Sequence, residues 1–168
     1  HYRRNTAQAE KRTVSDIPAE LDRFEAARQE AISQLGVLYN ETLASLGEEN
    51  ALLFQIHQMM LEDPDLCDAI RDMIQTQGVC AEYAVEQACA NSAASFAAMD
   101  DPYMQARSAD VLDLSRRLIR NLTGCTDDGV AAGHPVIVAS DDLVPSETAR
   151  LDRANTLAFI TAGGAANS

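Results

Sequence analysis

The stretch from Gly47 to Leu66 constrains the fold most, because its apolar residues cover more than one side of a helix. At helical spacing they form two overlapping stripes: Leu53, Ile56, His57 and Met60, and then Leu52, Ile56 and Met59. An ordinary surface helix needs only one apolar stripe. This helix is therefore either buried all round, or packed on its own domain with one side and on a partner with the other.

The ends of this helix are marked by residues that start or stop helices. Gly47 lets the chain turn, and Glu48 and Glu49 follow in the first turn, where the helix dipole favours negative charge. Pro64 cannot donate a backbone hydrogen bond, and it restricts Asp63 before it. We expect the helix to begin at the glutamates and to bend or restart near Asp63 and Pro64.

The charge of this stretch points to the kind of partner it would bind. Residues 48–66 contain five acids and neither lysine nor arginine. Acids beside an apolar groove indicate a basic partner, because opposite charge guides the approach. A core helix with solvated ends fits the same pattern, so both interpretations remain open at this point.

The composition excludes several other classes of function. A net charge of −13 argues against nucleic acid as a partner, which needs a basic face. No apolar run approaches the ~18 residues of a membrane span, and no signal peptide precedes the first helix, which favours the cytoplasm. The four cysteines form no C-x-x-C pair and no zinc spacing, so we expect no metal site and small buried thiols.

The rest of the first 124 residues is helical in pattern. A capped start at Asp16–Pro18 opens a long helix with one apolar seam that ends at Gly47. Further helices are predicted at Asp65–Gln77, Cys80–Met99 and Pro102–Leu122. The expected fold is mainly α, an antiparallel bundle resembling four helices, of which the second is kinked.

The pattern changes after Gly124. Val136–Ala139 and Thr156–Thr161 are predicted strands, with a short helix at Pro145–Ala149 between them and a loop of small residues at the end. A strand followed by such a loop is where α/β folds usually place chemistry. The segment is therefore expected to be a truncated α/β unit.

Four groups of residues also carry a resemblance to a known family. They are Gly47–Glu49 with Phe54, His57 and Leu61–Asp63; Asp101–Tyr103 with Ala109–Val111, Arg117–Leu118 and Arg120–Asn121; Asp142–Ala149; and Phe159–Thr161, leading to Asn167–Ser168. Together they resemble the N-terminal domain of Enzyme I, the phosphoenolpyruvate-protein phosphotransferase of the bacterial phosphotransferase system. The likeness covers nearly the whole chain from about Ser15.

The resemblance implies a domain organisation. Residues 1–14 would be a remnant of the first α/β strand, 15–124 a helical subdomain that binds the phosphocarrier protein HPr, and 125–168 a truncated phosphohistidine domain. In the family the phosphorylated histidine follows the residue matching Ser168, so we expect no catalytic residue in this sequence. The family's magnesium and phosphoenolpyruvate sites belong to a C-terminal domain that the sequence lacks, and no cofactor is expected here.

The resemblance also implies which residues meet HPr. The acidic and apolar candidates on the central helices are Glu48, Glu49, Leu53, His57, Met60, Asp63, Asp65 and Leu66. The candidates for an opposite wall, on the third and fourth predicted helices, are Phe96, Tyr103, Met104 and Arg107. This chain is expected to bind HPr without catalysis.

Two alternatives come from other classes of protein. A helical adaptor unrelated to phosphoryl transfer would have no use for the strands after residue 135. A metal enzyme built on four helices would need Glu-x-x-His pairs, and neither His57 nor His134 has a glutamate three residues before it. Within the family, the same domain from a nitrogen-regulatory or kinase-linked relative also fits.

Overall fold

The structure is a computed structural model that describes residues 9–124 in full, together with the backbone of 136–140 and 156–161. These residues form five helices and two strands: α1 Ile17–Leu46, α2 Glu48–Glu62, α3 Pro64–Gln77, α4 Ala81–Ala97, α5 Pro102–Thr123, β1 Val136–Ser140 and β2 Thr156–Thr161. The chain divides into two compact units, and Gln8–Cys125 is the helical one. The mainly helical fold is as predicted, whereas the predicted functions of the three segments remain a prediction.

Three helices begin at the aspartate–proline signals in the sequence. The side chains of Asp16, Asp63 and Asp101 accept hydrogen bonds from backbone N–H groups in the first turns of α1, α3 and α5, at 3.0, 2.8 and 2.9 Å. A proline lies in the first turn of each of these helices, where its missing N–H costs nothing. At Asp63 the backbone is extended, with ψ at 120°. The predicted kink is therefore a break between two separate helices.

Hydrogen bonds between helices show in which direction α2 and α5 run relative to α1. Along α1 and α2, Arg28 contacts Leu61 and Gln58 contacts Ile32, so the two helices are antiparallel. Along α1 and α5, the contacts are Asn121 to Ala27 and Arg117 to Gln34, so these helices are also antiparallel. It follows that α2 and α5 run in the same direction.

The core of the bundle contains the predicted seams. Phe24, Leu35 and Leu38 of α1 are buried, and small alanines of α4 let that helix approach its neighbours closely. The last apolar residue of α1 lies at the surface: Leu46 is 48% exposed. Leu46 is the last residue of α1, next to the turn at Gly47, where φ is +86° and the chain reverses into α2.

The segment before α1 pairs with the connection between α3 and α4. Val14 donates to the Gly78 carbonyl at 2.8 Å, and Cys80 donates to the Arg12 carbonyl at 2.9 Å. In the second unit, β1 and β2 are parallel neighbours, with Val138 opposite Phe159. Both strands were predicted, and the predicted short helix at 145–149 lies outside the described residues. Among the described helices, none has the length and apolarity required to cross a bilayer.

Candidate functional site

Helix α2 has an apolar surface that faces away from the core. Ala51, Phe54 and Leu61 point inward and are buried. On the other side lie Leu52 and Met59, which are 47% and 64% exposed, and the half-buried Leu53, Ile56 and Met60, the last of which also packs against the core. We call these five residues, Leu52, Leu53, Ile56, Met59 and Met60, the α2 outer face. The helix is therefore buried on one side and exposed on the other, which excludes a helix buried all round.

Acidic residues lie at both ends of the α2 outer face. Glu48 and Glu49 are exposed in the first turn of α2, and Asp63 and Asp65 are exposed where α3 begins. Leu66, one residue further, is half-buried and packs against the core. The predicted acidic candidates are therefore all at the surface, on either side of an apolar strip.

The break between α2 and α3 is held from two sides. The carbonyl oxygen of Leu61 accepts a hydrogen bond from Nη1 of Arg28 at 3.1 Å, and the thiol of Cys67 lies 3.2 Å from the same oxygen. These contacts supply hydrogen-bond donors to the Leu61 carbonyl, which lies in the last turn of α2 and has no backbone N–H donor within that helix. They fix the position of Asp63 and Leu66 relative to Met60.

His57 is the one candidate that the structure removes from the surface. Its side chain is 1% exposed, and its ring meets that of Phe54 edge-on with centroids 6.4 Å apart. Its Nε2 atom lies 3.4 Å from Oδ1 of Asp110 on α5, which is longer than an ordinary hydrogen bond. His57 therefore lies buried between α2 and α5 and not at the surface, and its predicted role in binding HPr stays a prediction.

The predicted opposite wall is only partly exposed. Tyr103 is 63% exposed at the start of α5, and Met104 is half-buried beside it. Phe96 packs against the core. Arg107 is mostly covered, with 14% of its side chain exposed, and it binds groups of its own chain. Of the four wall candidates, Tyr103 is the one that a partner can reach most readily.

Arg107 and His57 both act on the carboxylate of Asp110. Arg107 donates from Nη1 to Oδ2 of Asp110 at 2.9 Å. Burial raises the pKa of the Asp110 carboxyl, but its interactions with His57 and Arg107 outweigh burial, and the pKa ends below its ordinary value. Asp110 is therefore a charged group at the junction of α2 and α5.

The parallel run of α2 and α5 brings the two walls to the same level. Leu53 lies one turn before His57 on α2, and Arg107 lies one turn before Asp110 on α5. Because His57 and Asp110 are in contact and the helices run the same way, Leu53 and Arg107 lie level with each other. The Tyr103 side chain continues this wall toward the helix start.

The two most exposed apolar residues of α2, Leu52 and Met59, were absent from the predicted contact set. Leu52, Ile56 and Met59 lie on the α2 outer face, although the resemblance named only Leu53 and Met60 there. The signal for them was the second apolar stripe on α2, which an ordinary surface helix does not need. Within the described ranges, no group of three or more His, Cys, Asp or Glu could hold a metal ion.

Comparison with known proteins places this geometry in a family. Residues 1–107 match the family model described as PEP-utilising enzyme, N-terminal. The chain is 39% identical over 154 residues to a phosphoenolpyruvate-protein phosphotransferase of Geobacillus stearothermophilus and 33% identical over 153 residues to that of Bacillus subtilis. These alignments cover 91% and 90% of this chain but 27% of each relative. The chain thus spans about a quarter of the length of the curated relatives it matches.

Two solved structures are also similar. A solution structure of an Enzyme I protein is 27% identical with a TM-score of 0.78, and the match covers 90% of this chain and 62% of that one. The N-terminal domain of Enzyme 1 – Nitrogen is 27% identical with a TM-score of 0.74, over 96% of this chain and 66% of that one. With more than half of its residues matched by the family model, the chain belongs to the N-terminal domains of PEP-utilising enzymes, and its structural neighbours are those of Enzyme I.

Proposed function

We propose that the helical unit is the platform on which a phosphoenolpyruvate-protein phosphotransferase docks the phosphocarrier HPr. The observation that carries this proposal is the α2 outer face, an exposed apolar strip that ends in acidic residues on both sides. Exposed apolar residues in a contiguous strip are typical of interaction sites. The names of the curated relatives supply the reaction.

The charge of the surface agrees with a basic partner. Glu48 and Glu49 lie at one end of the strip, and Asp63 and Asp65 lie at the other. Acidic groups around an apolar centre accelerate the encounter with a basic protein and fix its orientation, while the apolar centre supplies most of the affinity. This division predicts that salt weakens binding and that apolar substitutions abolish it.

In the proposed reaction the parent enzyme takes a phosphoryl group from phosphoenolpyruvate onto a histidine and passes it to HPr. A covalent phosphohistidine divides one difficult transfer into two easier ones. Residues 15–124 would hold HPr near that histidine, and residues 125–168 would belong to the phosphohistidine domain. Magnesium and phosphoenolpyruvate would bind a C-terminal domain of the parent, and we assign no residue of this sequence to either. The free thiols of Cys67, Cys80 and Cys89 support a cytoplasmic setting.

A second candidate partner is the phosphocarrier of a nitrogen-regulatory branch. The similarity to the N-terminal domain of Enzyme 1 – Nitrogen favours testing it, since the identity equals that to the other solved structure. We propose sugar uptake as the pathway that the parent enzyme serves, and a comparison of the two phosphocarriers tests it. HPr of the sugar branch should bind more tightly than its nitrogen-branch counterpart.

The test is a calorimetric titration of this chain with each phosphocarrier, at low and at moderate salt. We expect one-to-one binding of HPr that weakens as salt rises. The variant Met59→Asp places a charge at the most exposed side chain of the α2 outer face and should weaken binding about tenfold or more. Because Met59 is 64% exposed, the variant should keep the fold of the parent chain.

A matched control is available on α5. Leu112 is another exposed apolar residue, two positions after Asp110 and so on another side of that helix. Leu112→Asp makes the same chemical change away from α2 and should leave the affinity for HPr unchanged. Equal effects of the two substitutions, or no binding by the folded parent chain, would contradict a docking site on the α2 outer face.

A further inference from the structure

Resting on the proposed docking function, we propose that Arg107 is a positioning residue: supported by Asp110 and His57, it holds Tyr103 in place as an exposed aromatic anchor for the partner. This differs from the contact role that the family resemblance implies for Arg107. It also gives buried His57 a function beneath the surface.

The guanidinium of Arg107 is already occupied by its own chain. Nη1 donates to Oδ2 of Asp110 at 2.9 Å, and Nη2 donates to the hydroxyl of Tyr103. The guanidinium carbon also lies 4.5 Å from the centroid of the Tyr103 ring, a cation–π distance. With 14% of its side chain exposed, Arg107 has little surface left for a partner.

Tyr103 has the opposite properties. It is 63% exposed and lies in the first turn of α5, where few neighbours would fix its ring. Immobilising an exposed side chain on binding costs conformational entropy. A tyrosine already held by Arg107 avoids that cost, which suits it to be an anchor, since aromatic residues are enriched among the residues that dominate binding.

The support continues from Arg107 into the core. Asp110 uses Oδ2 for Arg107, and its Oδ1 faces the buried ring of His57 on α2 at 3.4 Å. Neither ring nitrogen of His57 has a hydrogen-bond partner of ordinary geometry among residues 9–124, and the Asp110 carboxylate is the charged group that contacts Nε2. The carboxylate thus lies between Arg107 and the buried ring of His57, where α5 meets α2.

The experiment is a double-mutant cycle on HPr affinity in this chain. Tyr103→Phe keeps the ring and removes the hydroxyl that Arg107 binds, and Arg107→Gln removes the guanidinium. We expect each variant to weaken binding about threefold to tenfold, and the double variant to be no weaker than Arg107→Gln alone. Likewise, the losses of affinity caused by Asp110→Asn and Arg107→Gln should not add in the double variant. Arg116→Gln, an exposed arginine on the same helix, is the matched control.

A second readout needs no partner. In the free chain, carbon-13 relaxation of the Tyr103 ring should report an ordered side chain, and Arg107→Gln and Asp110→Asn should both increase its motion. Additive losses of affinity would overturn the proposal, because Arg107 would then contact HPr directly. A Tyr103 ring that is equally mobile in all variants would also overturn it. If HPr does not bind the parent chain, the docking function fails, and the relaxation data still decide whether Arg107 positions Tyr103.

Discussion

Arg28 on α1 donates from Nη1 to the carbonyl oxygen of Leu61 at 3.1 Å, and this bond joins the longest helix to the break between α2 and α3. The same guanidinium donates from Nε to Glu25 at 2.9 Å. Glu25 in turn accepts from Nε of Arg71 on α3, also at 2.9 Å. One network of charged side chains therefore connects α1 with α2 and α3. These two helices meet at the end of the α2 outer face where Asp63 and Asp65 lie.

Replacing Arg28 by methionine should destabilise the bundle. The substitution keeps an apolar stem but leaves the Leu61 carbonyl without its arginine donor and Glu25 without one of its partners. Losing hydrogen bonds to a charged donor in a half-buried site costs about 1–3 kcal/mol. Urea unfolding followed by circular dichroism measures this free energy, with Arg116→Met as the exposed control. Equal stabilities of the two variants would show that the network contributes nothing to folding.

A second charged cluster predicts how stability depends on pH. Arg23 donates to both Glu20 and Glu82 at 2.7 Å, and Glu20 also accepts from the backbone N–H of Ala81. Burial raises the pKa of the Glu82 carboxyl, but the hydrogen bond from Arg23, a backbone hydrogen bond and the charges of Arg23 and Arg12 together outweigh burial, and the pKa lies below its ordinary value of 4.5. A carboxyl with a lowered pKa in the folded state stabilises the fold above about 4.5 and loses that contribution as pH falls further.

We therefore expect the free energy of unfolding to fall as the pH drops below about 4.5, and Glu82→Gln to flatten that dependence. At neutral pH the variant should be less stable by about 1–3 kcal/mol, because Arg23 loses a charged partner. Urea titrations at several pH values test both expectations. Glu41→Gln, at an exposed position on α1, is the control and should keep the slope of the parent chain.

The helices could be predicted from local signals, whereas the burial of single side chains could not. Aspartate and proline at positions 16–18, 63–64 and 101–102 act on their own turns, so the starts of α1, α3 and α5 follow from the sequence. Whether His57 faces solvent depends on α5, which comes about 50 residues later in the chain. No periodicity within α2 contains that information.

The same limit explains the predicted contact set. Met60 and Leu53 were named through a resemblance, which carries over positions but not exposure. The sequence pattern already contained a second stripe with Leu52 and Met59, and the packing of α1 against the inner side of α2 decides that this stripe is the exposed one. Arg107 was predicted as a contact through the same resemblance, while its bonds to Asp110 and Tyr103 depend on side-chain geometry.

The connection between α3 and α4 gives a prediction about backbone conformation. Gly78 ends α3 with φ at +60°, in the left-handed region that L residues other than asparagine and aspartate rarely adopt. Gly78→Ala should destabilise the chain by about 1 kcal/mol, and Gly78→Asn by less, because asparagine tolerates this conformation better. Thermal unfolding of the two variants tests the order. An added Cβ would lie 3.9 Å from the Val14 carbonyl, so the reason is backbone strain and not a clash.

The last prediction concerns the reactivity of a buried thiol. Cys89 on α4 is fully buried, and burial raises the pKa of its thiol to about 12. Because the thiolate is the reactive form, Cys89 should not react with a maleimide at about pH 8 while the chain is folded. In denaturant it should react at the rate of a free cysteine. Mass spectrometry of labelled peptides measures both rates, in a Cys125→Ser variant that removes the cysteine outside the described residues. Rapid labelling of Cys89 in the native chain would contradict this prediction, because it would mean that α4 opens readily from the bundle and exposes the thiol.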